Sequence, residues 1–196
     1  MSSGPLILGL GGTTRMRSSS ELAVRAALAE LRARGAQTVQ LSGPELVLPI
    51  YAPEDSARHP NAERLVDLMR RCDGIIVASP GYHGSISGLI KNALDYCEDL
   101  ARDQNPYLDG KPFGAIACAF GWQATGSTLV ALRSVAHALR AWPTPFGVAV
   151  NSTSRLFDDD GNCIDDAFRN GVSIMAGQML DFIHGRNASK GMAIAS

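Results

Sequence analysis

Short, almost wholly apolar runs alternate along the chain with longer segments whose apolar positions recur every three to four residues. Pro5-Leu6-Ile7-Leu8-Gly9-Leu10, Gly74-Ile75-Ile76-Val77-Ala78-Ser79, the run from Phe113 to Phe120 and Gly147-Val148-Ala149-Val150 read as buried strands, and Val39-Gln40-Leu41 as a shorter one. Helices are predicted over residues 18–34, 61–72, 88–101, 127–141 and 165–184. On the first, Ser18 and Glu21 form a capping box, Glu21/Arg25 and Glu30/Arg34 are i,i+4 pairs, and Gly35 ends the helix. Its core side is expected at Leu22, Ala26, Ala29 and Ala33. The fourth helix places Leu129, Leu132, Val135 and Leu139 on one face, and the last Phe168, Val172, Met175, Met179 and Phe182. Residues 43–60 carry Pro44, Pro49, Pro53 and Pro60 and form a long loop, whose apolar content suggests that it packs down.

Strict strand–helix alternation implies an α/β fold: a five-stranded parallel sheet covered by helices on both faces, with strand order 2-1-3-4-5. Residues 1–185 are expected to form a single domain, and 186–196, without periodicity, a flexible tail. Composition narrows the function. Lys plus Arg number 18 and Asp plus Glu 19, a net charge of −1. This balance argues against a nucleic-acid partner and against an acidic electron carrier that docks by charge. Cys72, Cys97, Cys118 and Cys163 show no metal-ligand spacing, so no metal is expected. Neither a signal segment nor a membrane span is expected, and a reducing, cytoplasmic setting is the simplest reading.

In such a sheet, ligands bind at the carboxyl ends of the strands beside the switch between strands 1 and 3. Three loops rich in Gly, Ser and Thr leave those ends. Gly11-Gly12-Thr13-Thr14-Arg15-Met16-Arg17-Ser18-Ser19-Ser20 joins a strand to a helix N-terminus, where free amides and the helix dipole favour an anion. It lacks the Gly-Lys-Ser/Thr ending of a P-loop, and Thr14 stands where a dinucleotide fingerprint needs its third glycine. The second loop, Ser79 to Gly88, offers glycines, the Tyr82 ring and His83; Ser87 reads as a helix cap. The third, Phe120-Gly121-Trp122-Gln123-Ala124-Thr125-Gly126-Ser127, presents Trp122 either to a ligand or to neighbouring structure.

Gly12-Thr13-Thr14-Arg15-Met16-Arg17-Ser18 resembles the G-[ST]-x-R-x-x-S phosphate loop of the NADPH-dependent FMN reductase family. The stretch Ser79 to Asp95 is similar to that family's S-P-x-Y-x-x-S-x-x-G-x-x-K-N-x-x-D block. The likeness extends over roughly residues 5–150. The third loop departs from the usual glycine run, because Trp122-Gln123-Ala124 intervenes. The resemblance implies a flavodoxin-like three-layer sandwich, bound FMN, and a homodimer or homotetramer. By position, Thr13, Arg15, Ser18 and Ser20 would surround the FMN phosphate. Pro80, Tyr82, His83, Gly84, Ser85 and Ile86 would line the isoalloxazine, with Gly121 and Trp122 at its other end. The implied activity is hydride transfer from NADPH or NADH to FMN and onward to a small acceptor such as free flavin, a quinone or an azo compound, with no side-chain acid or base required. Alternatives from other classes are a flavodoxin-type electron carrier, a non-catalytic flavin-binding module, and a phosphate-binding protein without flavin.

Overall fold

The computed structural model describes the backbone of residues 4–194 and side chains through Ser189. Its elements in chain order are β1 (Leu6–Gly11), α1 (Ser19–Ala33), β2 (Gln37–Ser42), α2 (Pro60–Arg71), β3 (Gly74–Tyr82), β4 (Ser85–Ile86), α3 (Gly88–Asp95), β5 (Pro112–Ala119), α4 (Trp122–Ala138), β6 (Trp142–Pro143), β7 (Val148–Asn151) and α5 (Asp166–Ile194). Alternate strand residues divide the core in two. Leu8, Leu10, Ile75, Val77 and Phe113 pack with Leu65, Ile90 and Leu132 of α2, α3 and α4. Ile7, Ile76, Ala78 and Ile116 pack with Val24 and Leu28 of α1 and Met175 and Met179 of α5. Both faces of the sheet are therefore covered, which is why its strands are apolar at consecutive positions.

The parallel order β2-β1-β3-β5 continues into β7, as the sequence predicts for strands 2-1-3-4-5. The last strand is divided. Trp142 and Pro143 pair with Pro112 and Phe113, and Val148–Asn151 pair with Ile116–Ala119. Pro145, which has no N–H to give the ladder, lies in the break. There the Thr144 hydroxyl donates to the Phe146 carbonyl at 2.8 Å.

Several boundaries differ from expectation. The helix predicted over 88–101 ends at Asp95 and continues as a 3₁₀ turn over Tyr96–Leu100. The helix predicted from residue 127 begins at Trp122, and its buried positions are Thr125, Thr128, Leu132 and Ala136. The buried face of α1 runs through Val24, Ala27, Leu28 and Leu31, not Ala26, Ala29 and Ala33. The last helix continues through Ile194, past the expected end at His184; Ala195 and Ser196 lie outside the described residues. Among the described residues no helix is long and apolar enough to cross a membrane.

Candidate flavin site

The carboxyl ends of β1, β3 and β5 open into a cavity of about 320 Å³, at the small end of the range for ligand pockets. From the first connection it is lined by Thr13, Arg15, Ser18, Ser19 and Ser20. Pro80, Gly81 and Tyr82 form a second wall, and Cys118, Ala119, Phe120 and Ser152 a third.

The first wall is a set of hydrogen-bond donors at a helix N-terminus. Ser18 is the N-cap of α1, its Oγ accepting the Glu21 N–H at 3.3 Å and lying 3.3 Å from the Ser20 Oγ. Ser19 and Ser20 sit in the first turn, where helix geometry gives their amides no carbonyl four residues back. The expected capping box is only half formed. Glu21 reaches past Ser18, and its carboxylate accepts the Arg17 N–H at 2.6 Å. That bond holds Arg17 in the left-handed region, with φ of 57°. The Arg17 guanidinium turns away from the cavity onto the Asp159 carbonyl. Arg25 likewise donates to the Gly161 carbonyl at 2.7 Å and not to Glu21, whereas Glu30–Arg34 forms as expected at 2.6 Å. Arg15 is thus the guanidinium among the cavity's lining residues.

The second wall is a hairpin where a loop was expected. Tyr82 pairs with Ser85 and Gly81 with Ile86 around a two-residue turn. His83 and Gly84 occupy its centre with φ of 50° and 88°. Two consecutive positive values define the hairpin turn whose twist matches its strands, and histidine enters the left-handed region more readily than most residues. His83, Gly84, Ser85 and Ile86 are carried along this projection and are not among the lining residues.

The third wall rests on Gly121, whose φ of 96° breaks β5 from α4. The Gly121 N–H donates to Asn151 Oδ1 at 3.2 Å, and the same oxygen accepts from Thr153. The hydroxyls near the start of α4 bond within the helix: Thr125 donates to the Trp122 carbonyl, and Ser127 and Thr128 to the Ala124 carbonyl. Trp122 leaves the cavity. It is 67% exposed and lines a separate groove with Phe146, Val148 and Gly171. Phe120, 79% exposed, takes the aromatic position beside Tyr82, which is 53% exposed. Phe120 and Ser152 escaped the sequence reading. Phe120 stood at a strand end and at the head of the third loop without being singled out, and Ser152 lies beyond a strand end with no motif around it. At the floor, burial pushes the Cys118 thiol up to about 12, so it stays protonated at neutral pH.

The sheet order and a hydroxyl-lined cavity beside the switch between β1 and β3 define a flavodoxin-like α/β protein. Comparison with known proteins agrees and goes further. Residues 5–154 match the family described as NADPH-dependent FMN reductase, and the chain belongs to that family. It is 27% identical over 167 residues to the NAD(P)H-dependent FMN reductase of Pseudomonas aeruginosa, covering 83% of this chain and 86% of that one. It is 30% identical over 125 residues to the FMN-dependent NADPH-azoreductase of Staphylococcus saprophyticus, a match spanning 63% of each chain. A flavoenzyme NAD(P)H:(acceptor) oxidoreductase from Paracoccus denitrificans shares the fold, with a TM-score of 0.71, 19% identity, and coverage of 92% of this chain and 98% of that one. The chain is an FMN-dependent NAD(P)H oxidoreductase.

Proposed function

We propose that the cavity holds FMN with its phosphate against Thr13, Arg15, Ser18 and Ser20, and its ring system beside Pro80 and Tyr82. The observation that carries this reading is the convergence of one guanidinium, three consecutive serines at a helix N-terminus and two exposed aromatic rings on one cavity. The donor set fits a phosphate monoester, and the aromatic rim fits a flat heterocycle. The projecting 83–86 turn flanks the ring's exposed side, and Gly121 closes the far end. Residues 1–185 act as one FMN-binding domain.

When bound, FMN supplies hydride acceptance from NADPH or NADH and delivery to a second acceptor. The chain's part is to bind and orient. Arg15 and the α1 amides anchor the phosphate, and Tyr82 and Phe120 leave an open apolar rim where nicotinamide and acceptor take turns. No cavity side chain is poised as a base, since Cys118 holds its proton and the remaining polar groups are hydroxyls, carbonyls, amides and a guanidinium. The acceptor is a small molecule such as free flavin, a quinone or an azo compound. The enzyme works in the cytoplasm as a homodimer or homotetramer, a reading supported by its four free cysteines and by the exposed Trp122 and Val130 of α4.

The test is an absorbance titration of the purified protein with FMN, followed anaerobically by NADPH and then NADH. Bleaching of the bound flavin by either nucleotide is the expected result, and the faster one names the donor. FMN binding without bleaching would instead make the protein an electron carrier or a non-catalytic flavin-binding module. Failure to bind FMN would remove the cavity assignment.

A further inference from the structure

Beneath the cavity, two buried serines join the first two walls. The Ser79 Oγ accepts the Ser87 N–H at 2.9 Å and donates to the Pro80 carbonyl at 2.9 Å. The Ser87 Oγ accepts the Ile90 N–H at 3.2 Å, capping α3, and donates to the Gly12 carbonyl at 3.1 Å. Capping alone would use only the acceptor side of the hydroxyl. The donated bond reaches 75 residues back to the phosphate loop. Ser79 is fully buried and Ser87 is 2% exposed, so water does not compete for these bonds.

The bond to Gly12 fixes more than a distance. A trans peptide holds its carbonyl and the following N–H on opposite sides. Drawing the Gly12 carbonyl toward Ser87 therefore turns the Thr13 N–H away from Ser87, and Thr13 is one of the residues that line the cavity. Gly12 cannot swing freely out of this arrangement. A Cβ at this position would lie 2.6 Å from the Ala78 carbonyl oxygen and 3.0 Å from Pro80 Cδ, so the backbone is seated against β3.

We infer that Ser87 is a positioning residue for phosphate recognition, its hydroxyl orienting the Gly12–Thr13 peptide so that the Thr13 amide joins the anion cradle. This rests on the proposed FMN site but assigns a role that capping does not require. The test compares FMN with riboflavin, which lacks the phosphate. Each is titrated by flavin fluorescence against wild type, Ser87→Gly, Ser87→Ala and Ser87→Thr. Glycine is a tolerated N-cap, so Ser87→Gly removes the donated bond at little cost to α3.

The expected result is about a tenfold loss of FMN affinity in the Gly and Ala variants, the size of one charge-assisted hydrogen bond made less well. Riboflavin affinity should stay within about twofold, and Ser87→Thr, which keeps the hydroxyl, should keep the preference for FMN. Equal losses for both flavins, or none, would overturn the inference and leave Ser87 a cap only. Arg15→Ala in parallel separates the two levels. If it reduces the preference for FMN while Ser87→Gly does not, the phosphate site stands and the role of Ser87 falls. If the wild type shows no preference for FMN over riboflavin, the phosphate site itself is wrong.

Discussion

On one flank of the cavity the backbone is fastened from below. Ser79 and Ser87 tie the 80–87 hairpin and the 12–18 loop to the start of α3, and Gly12 is wedged against the Ala78 carbonyl. On the other flank, the β5–α4 junction hangs from one side-chain acceptor, Asn151 Oδ1. The hydroxyls of α4's first turns serve its own carbonyls, and Phe120 stands almost free in solvent. The fastened flank suits a group that must be held, the phosphate end of a cofactor. The loose, aromatic flank suits molecules that arrive and leave. Preorganised donors spare a ligand the cost of ordering them, whereas an exposed ring offers contact area without fixing a pose.

The most direct way to break this contrast is to push the fastened flank apart. Gly12→Val places a branched side chain 2.6 Å from the Ala78 carbonyl and 2.8 Å from Ile90 Cγ1. A loss of about 2 kcal/mol or more in urea denaturation is expected, together with loss of FMN binding, because overpacking here moves backbone. An unchanged midpoint would show that the loop yields freely. Arg15→Ala acts on the same flank without touching its bracing, since Arg15 is exposed. FMN affinity should fall about tenfold while the melting temperature holds. Phe120→Ala probes the loose flank. Its effect should appear as a several-fold rise in KM for the nicotinamide or the acceptor, roughly the 0.5–1.5 kcal/mol of an aromatic contact, with FMN affinity nearly unchanged. A large fall in FMN affinity would place Phe120 on the holding side and erase the distinction.

The same contrast explains what could be read from the chain. The fastened flank was legible because glycines, a capping serine and a following helix leave local signatures. Ser87 as cap and Ser18 as cap both follow from residue type and spacing, and both form. The strand order was legible because apolar runs alternating with helices admit few parallel arrangements. The loose flank misled. Gly126 and Ser127 look like a helix start, yet the break is at Gly121, and hydroxyls that look available are bonded within α4. Local composition does not report whether a hydroxyl turns inward or outward. Nor did it report that Glu21 would capture Arg17 instead of closing its own box, because that depends on the left-handed turn preceding α1.

The smallest expected effect concerns the outer support of the fastened flank. Asn92 of α3 donates to the Leu48 and Pro49 carbonyls and accepts the Tyr51 N–H, which binds the 47–58 segment to the helix that Ser87 caps. Arg58 closes that segment by donating to both oxygens of Asp99, each at 2.8 Å, with its guanidinium over the Tyr51 and Tyr96 rings. The hydrogen bonds from Arg58 hold the Asp99 carboxyl below the usual aspartate range. A depressed folded-state value means that the folded protein binds a proton less readily than the unfolded chain. The stability this contributes is complete above the ordinary aspartate value of 3.8 and is lost as the pH falls through the lower folded value. The pair is partly open to water, with side-chain exposures of 15% and 22%, so the contribution is discounted for screening. Urea midpoints of wild type and Asp99→Asn should therefore differ by a constant amount from neutral pH down to about 4 and converge below it. A difference that persists unchanged into strong acid would show that Asp99 supports the loop by packing and neutral hydrogen bonds alone, and that the bracing of this flank owes nothing to charge.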